Sequence, residues 1–182
     1  MKKEAIIQIC KKWVEEMVIG LNLCPFAKFP FDKGRVRFSV LRSNHMSEWI
    51  QGIYKEAHLL QTKPPSELSN SLLIFPNGLG DFYDFLDLVE MANITIEDQQ
   101  LQKEIQLASF HPDYQFEGTE IEDITNYTNR SPFPILHLLR VEEVSQAIEK
   151  HGNTEHIPEN NKDKLRQTGL KSIQVLYQSF YK

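Results

Sequence analysis

Residues 71–75, Ser-Leu-Leu-Ile-Phe, constrain the fold more than any other stretch. The run is too short for a helix, lacks a polar alternation and is closed by Pro76-Asn77-Gly78. It reads as a strand buried on both faces. Such a strand needs cover above and below its sheet, and the flanking sequence offers amphipathic helices. Residues 47–61 bring Trp49, Ile53, Ala57 and Leu60 onto one stripe, and residues 81–93 do the same with Phe82, Phe85, Leu86 and Val89. Asp81 and Asp84 fall in the first turn of the second helix, where negative charge suits the dipole.

Three further stretches read as strands. Residues 35–41 alternate, with Val36, Phe38 and Val40 against Arg35, Arg37 and Ser39. Residues 104–110 and 134–140 are the third and fourth. Residues 3–21 predict an amphipathic N-terminal helix with Ile6, Cys10, Trp13, Met17 and Leu21 on one face. Gly20, Asn22 and Pro25 stop it. Residues 142–150 predict a short helix closed by Gly152, followed by a polar loop over 151–160. Residues 161–181 predict a final amphipathic helix. The order implies one α/β domain over residues 1–182, with α+β as the alternative: a four-stranded mixed sheet in two or three layers. Strand–helix–strand units favour parallel neighbours. The third and fourth strands either pair antiparallel or are joined by a loop crossing the sheet. Ligands of such sheets sit beyond the carboxyl ends of the strands, which directs attention to Asn77-Gly78 and His111.

Charge and composition narrow the function. The formal net charge is -5, which argues against nucleic acid as a partner. Residues 1–42 carry a balance of +5 and residues 77–125 one of -11, so the two either meet or form separate solvated faces. No apolar run nears the ~20 residues that cross a bilayer, so no membrane partner is expected. The N-terminus begins like a signal peptide, but Lys11 and Lys12 interrupt its apolar part and no cleavage site follows. Two cysteines make no disulfide framework, and a reduced, cytoplasmic setting is the plain reading.

Residues 105–140 hold most of the chemistry. His111 ends a strand before Pro112, with Asp113 placed to orient it, an arrangement suited to general acid–base work. His137 lies inside the fourth strand on the face of Ile135 and Leu139. Asn126, Asn129 and Arg130 offer donors for a substrate, and Arg130 either clamps an anionic group or pairs with upstream acids such as Asp123. Cys24, among Lys28, Lys33, Arg35 and Arg37, is a nucleophile, a ligand or a packed thiol; it follows a helix end, where the dipole does not activate it. Cys24, His111 and His137 match the stoichiometry of an open zinc site, although no Cys-x-x-Cys or His-Glu-x-x-His is present. His151 and His156 read as surface. No phosphate loop is present and no particular cofactor is indicated.

The segments Gly20-Leu21-Asn22-Leu23-Cys24-Pro25-Phe26, Leu107 to Phe116, Asn126 to Pro134 and His137-Leu138-Leu139-Arg140 together resemble the bacterial family known as domain of unknown function 1415. The resemblance spans essentially the whole chain. It implies a bacterial, single-domain protein and brings no activity, cofactor or catalytic residue.

The sequence therefore supports three readings. The first is a small-molecule enzyme with Cys24, His111, Asp113 and His137 as catalytic groups and Asn126, Asn129 and Arg130 binding the substrate. On that reading His111→Ala and Arg130→Ala leave the fold intact. The second is a metal-binding protein using Cys24, His111 and His137. The third is a binding or assembly module, including a homo-oligomer, that docks through the terminal helices.

Overall fold

The computed structural model describes residues 1–152 and 154–181. Asn153, in the expected polar loop, and Lys182 lie outside the described residues. The four strands are β1 (Val36–Val40), β2 (Asn70–Ile74), β3 (Ile105–Phe110) and β4 (Ile135–Arg140), in the sheet order β1-β2-β4-β3. β1 and β2 are parallel, and β4 is antiparallel to both β2 and β3. The long connection after β3 therefore returns β4 beside β3, which settles the alternative left open by the sequence. This is a mixed α/β arrangement with β4 inserted between two strands that both run opposite to it.

Helices cover both faces. On one side lie α3 (Met46–Thr62) and α4 (Phe82–Asp98). Trp49, Ile53, Phe85 and Leu88 pack there on Leu73, Leu136 and Leu138. On the other side lie α1 (Lys3–Trp13) and its continuation Val14–Ile19, which widens into a π-helix. Ile6, Trp13 and Met17 pack with Leu72, Ile74 and Ile135. The same core takes Leu165 from α6 (Ile157–Thr168) and Ile173 from α7 (Leu170–Ser179). β2 alternates between the two cores, which is why every one of its residues is buried. The apolar stripes of α1 and α7 are spent inside this chain.

Some local structure departs from the sequence reading. The final helix is two helices, because Gly169 takes φ 84 between them. α2 (Lys28–Asp32), a short helix, forms between Pro25, which stops the first helix, and β1. Asn22, at φ 56, ends the π-helical segment's follow-on turn in a conformation that Asn tolerates better than most residues. Asp81 precedes α4 as its cap, accepting from the N–H groups of Tyr83 and Asp84. α5 (Val141–His151) follows β4 without a loop. Among the described residues no ion pair joins residues 1–42 to residues 77–125, because the sheet separates α1 from α4.

The β3–β4 connection is held at one place. Three consecutive carbonyls there each accept one aromatic donor: Arg130 from Trp13 Nε1 at 3.1 Å, Ser131 from the Tyr177 hydroxyl, and Pro132 from the Tyr181 hydroxyl at 2.9 Å. Buried carbonyls need such partners, and an unmade bond costs more than a made one contributes. Tyr177→Phe is expected to lower stability by about 1–2 kcal/mol. Urea denaturation measures this, and an unchanged midpoint would show that the hydroxyl contributes nothing.

Candidate functional site

Pairing register and strand alternation decide which candidate residues meet. His137 stands opposite Leu72 on β2 and opposite Ala108 on β3. Its side chain thus faces α1, with Phe110 at 6.3 Å between ring centroids. His111 is one residue past Phe110, so it turns to the other face. There its ring lies 5.3 Å from both Phe82 and Phe85. The two histidines are on opposite sides of the sheet.

His111 is fully buried and fully bonded. Nε2 meets the Leu79 carbonyl at 3.0 Å, so it carries the proton, and Nδ1 accepts the Asp113 N–H at 3.0 Å. Burial lowers its pKa, against the pull of the Leu79 carbonyl and of Asp113 and Asp81. The bond to Leu79 confirms that His111 and the Asn77-Gly78 turn share a rim, where the imidazole acts as a brace. The Asp113 backbone, and not its exposed carboxylate, contacts the ring.

The other loop candidates hold the loop. Asn126 is fully buried; Oδ1 accepts from Phe116 N and Thr119 Oγ1, and Nδ2 donates to the Glu120 carbonyl. Asn129 Nδ2 donates to the Ser109 carbonyl at 3.3 Å. Arg130 lies 4.7 Å over the Tyr127 ring and donates to the carbonyls of Tyr114 and Ile121. Asp123 instead accepts from Thr125, which holds its carboxyl below the ordinary range. A hollow of about 630 Å³ between this loop and α6 is flanked by Lys162 and Arg166, whose charges are already paired with Glu159 and Asp163.

Cys24 and His137 both line one chamber of about 240 Å³ on the α1 side of the sheet. Trp13, Val14 and Val18 form one wall, Phe26, Ala27 and Pro30 another, and Leu72, Ala108 and Phe110 the floor. The chamber lies toward the amino-terminal ends of β1, β2 and β3 and the carboxyl end of β4, opposite the rim that the sequence favoured. The rule for parallel sheets is reversed here because the antiparallel β4 runs straight into α5, whose Val144 closes the wall. An outer groove of about 440 Å³, with Arg140, Glu143, Lys150 and His151, shares Phe26, Pro30, Asn70, Leu139 and Val144 with the chamber.

Asn70 is the residue that sequence reasoning missed. Sitting two positions diagonally from His137 across the β2–β4 pair, it accepts from His137 Nε2 through Oδ1 at 2.9 Å. A bond to a carbonyl oxygen fixes the proton on Nε2 and leaves Nδ1 bare. Nδ1 makes no bond within the described residues, and no buried side-chain nitrogen or oxygen there lacks a partner, so Nδ1 reaches open space. Burial pushes the His137 pKa down to about 4. Burial likewise pushes the Cys24 thiol up, while the N–H groups of Phe26 and Ala27, entering α2, pull the other way. The resting pair is a neutral thiol and a neutral imidazole. Cys10, fully buried and pushed up to about 12, is inert packing.

Among the described residues no three His, Cys, Asp or Glu side chains gather to hold a metal ion. Cys24, His111 and His137 are not assembled as a ligand set, since the sheet lies between His111 and His137. Among the same residues no helix is long and apolar enough to cross a membrane.

Fold and site define an α/β protein with a mixed four-stranded sheet and a thiol–imidazole chamber beneath its N-terminal helix. The chain belongs to the family described as Protein of unknown function (DUF1415), whose model matches residues 5–175. No curated protein and no solved structure matches it.

Two stability measurements separate the histidines. His111→Ala orphans two buried polar groups and opens a void between Phe82 and Phe85, so it is expected to cost about 2–4 kcal/mol; a fold as stable as wild type would refute the brace. For His137, the unfolded chain takes up a proton below pH 6.5 while the folded chain waits until about 4. Stability at this position is therefore present above 6.5 and lost as pH falls toward 4. The loss, taken relative to His137→Phe, is expected to reach roughly 3 kcal/mol. Parallel pH profiles for the two proteins would contradict it.

Proposed function

We propose that the protein is a small-molecule enzyme whose reacting centre is Cys24 with His137, the imidazole being held by Asn70. The shared chamber carries this reading: it gathers a nucleophile, a bare ring nitrogen and an orienting amide in an apolar space. His137 Nδ1 takes the Cys24 proton as Sγ bonds to an electrophilic carbon. The bond from that carbon to the leaving group breaks with its electron pair, and the leaving group takes the proton from Nδ1. Because desolvation disfavours a standing ion pair, the thiol reacts when a substrate draws the proton across. The role of anion contact passes from Arg130 to Lys150 in the outer groove, where Arg140 is held by the carbonyls of Lys63 and Leu68 and by Glu143. Two free cysteines fit a reduced, cytoplasmic setting.

A second reading keeps the chamber and drops the chemistry: a carrier for an apolar compound, favoured by the same neutrality of both groups. Acylation by p-nitrophenyl hexanoate separates the two. The enzyme reading expects nitrophenolate release with an acyl adduct at Cys24, located by peptide mass and absent in Cys24→Ser. His137→Gln should slow it by roughly 100-fold or more, the usual worth of general base catalysis. Adduct formation at the same rate in His137→Gln, or only on surface lysines, would leave the carrier.

A further inference from the structure

Asn70 has a second half that the reaction site does not use. The residue is 7% exposed, and its Oδ1 is taken by His137. Its Nδ2 makes no hydrogen bond within the described residues. No buried polar side-chain atom is orphaned there, so Nδ2 opens into space. Asn70 lines both hollows, which puts this free donor where chamber and groove adjoin. A donor on a side chain this deeply set, beside a thiol and a bare imidazole nitrogen, is matched by an acceptor oxygen on the bound molecule.

The chamber specifies what lies behind that oxygen. Val14, Val18 and Leu72, none of which lines the groove, leave no partner for a polar group at its inner end. A cavity of about 150 Å³ holds a benzene ring, so 240 Å³ takes about eight to ten non-hydrogen atoms. The other side of Asn70 opens on the charged groove with Lys150. The bound molecule is thus apolar at one end, carries an acceptor oxygen next, and is polar beyond it.

We propose that the chamber binds the acyl group of a small carboxylic acid or acid derivative, its hydrocarbon part inside and its carbonyl oxygen on Asn70 Nδ2. This rests on the chamber being the reaction site and names the class of molecule it takes. The Asn70 amide would then serve both sides of the reaction, fixing the imidazole through one atom and the carbonyl through the other.

The test uses binding alone, on Cys24→Ala protein, so that it stands apart from thiol reactivity. Hexanamide, hexanoate and 1-hexanol share a chain length and differ in the head. Titration followed by NMR should show all three perturbing the Ala108 methyl, with hexanamide or hexanoate at least tenfold tighter than 1-hexanol. A preference for hexanamide marks acid derivatives and one for hexanoate marks free acids; either supports the proposal. Asn70→Leu should erase the advantage over 1-hexanol. Ala108→Leu, which fills the floor, should abolish binding of all three, read at the Leu72 methyls, and serves if Asn70→Leu fails to fold. Equal affinities for the three, or no response at Ala108, would overturn the proposal. Loss of Cys24 acylation with this binding intact would overturn only the enzymatic reading.

Discussion

Three adjacent carbonyls organise the second half of the molecule. The backbone at Arg130, Ser131 and Pro132 presents them in a row, and Trp13, Tyr177 and Tyr181 supply one donor each. Helices from the two ends of the chain are thereby tied to one turn of the β3–β4 connection. Each ring also contributes apolar area: Trp13 packs edge-on to Phe110, and Tyr177 to Tyr127. The site depends on this, because Trp13 and the π-helical turn behind it are a wall of the chamber. π-Segments often sit at functional positions, and here Val14 and Val18 come from one.

A single force, desolvation, acts on four titratable groups with different outcomes. Cys10 is sealed in the core and becomes an inert thiol. His111 is sealed as well, but two hydrogen bonds consume its nitrogens and it becomes a brace. His137 and Cys24 are desolvated against a cavity, so their neutral forms persist with a lone pair and a thiol still reachable. Small Ala108, directly opposite His137, leaves that reach open. What separates a sealed group from a reachable one here is the presence of space beside it.

Much of the fold was legible because burial leaves a periodic mark. The β2 run, the alternation of Val36, Phe38 and Val40, and the stripes of α3 and α4 all fell where the pattern put them. The break at Gly169 escaped because the apolar spacing of Leu165, Ile173 and Phe180 continues across it. The candidate site was read less well, and for a general reason. A long buried connection must satisfy its own backbone, so it collects donors such as Asn126 and Arg130 that look like ligand contacts. Asn70 carried no signal, since an Asn before a strand reads as an ordinary turn residue.

By itself the sequence determined the elements, which side of each strand is apolar, and that the sheet must be covered on both faces. It also placed Cys24 and His137 among the few residues with chemistry to offer. Tertiary structure alone decided that β4 lies between β2 and β3 and in what register. That choice sets His137 across from Ala108 and within reach of Asn70, and turns His111 to the far side. The reason is geometric: a period of two records which face a residue takes within its own strand, whereas the neighbour it meets on that face depends on pairings between segments distant in the chain.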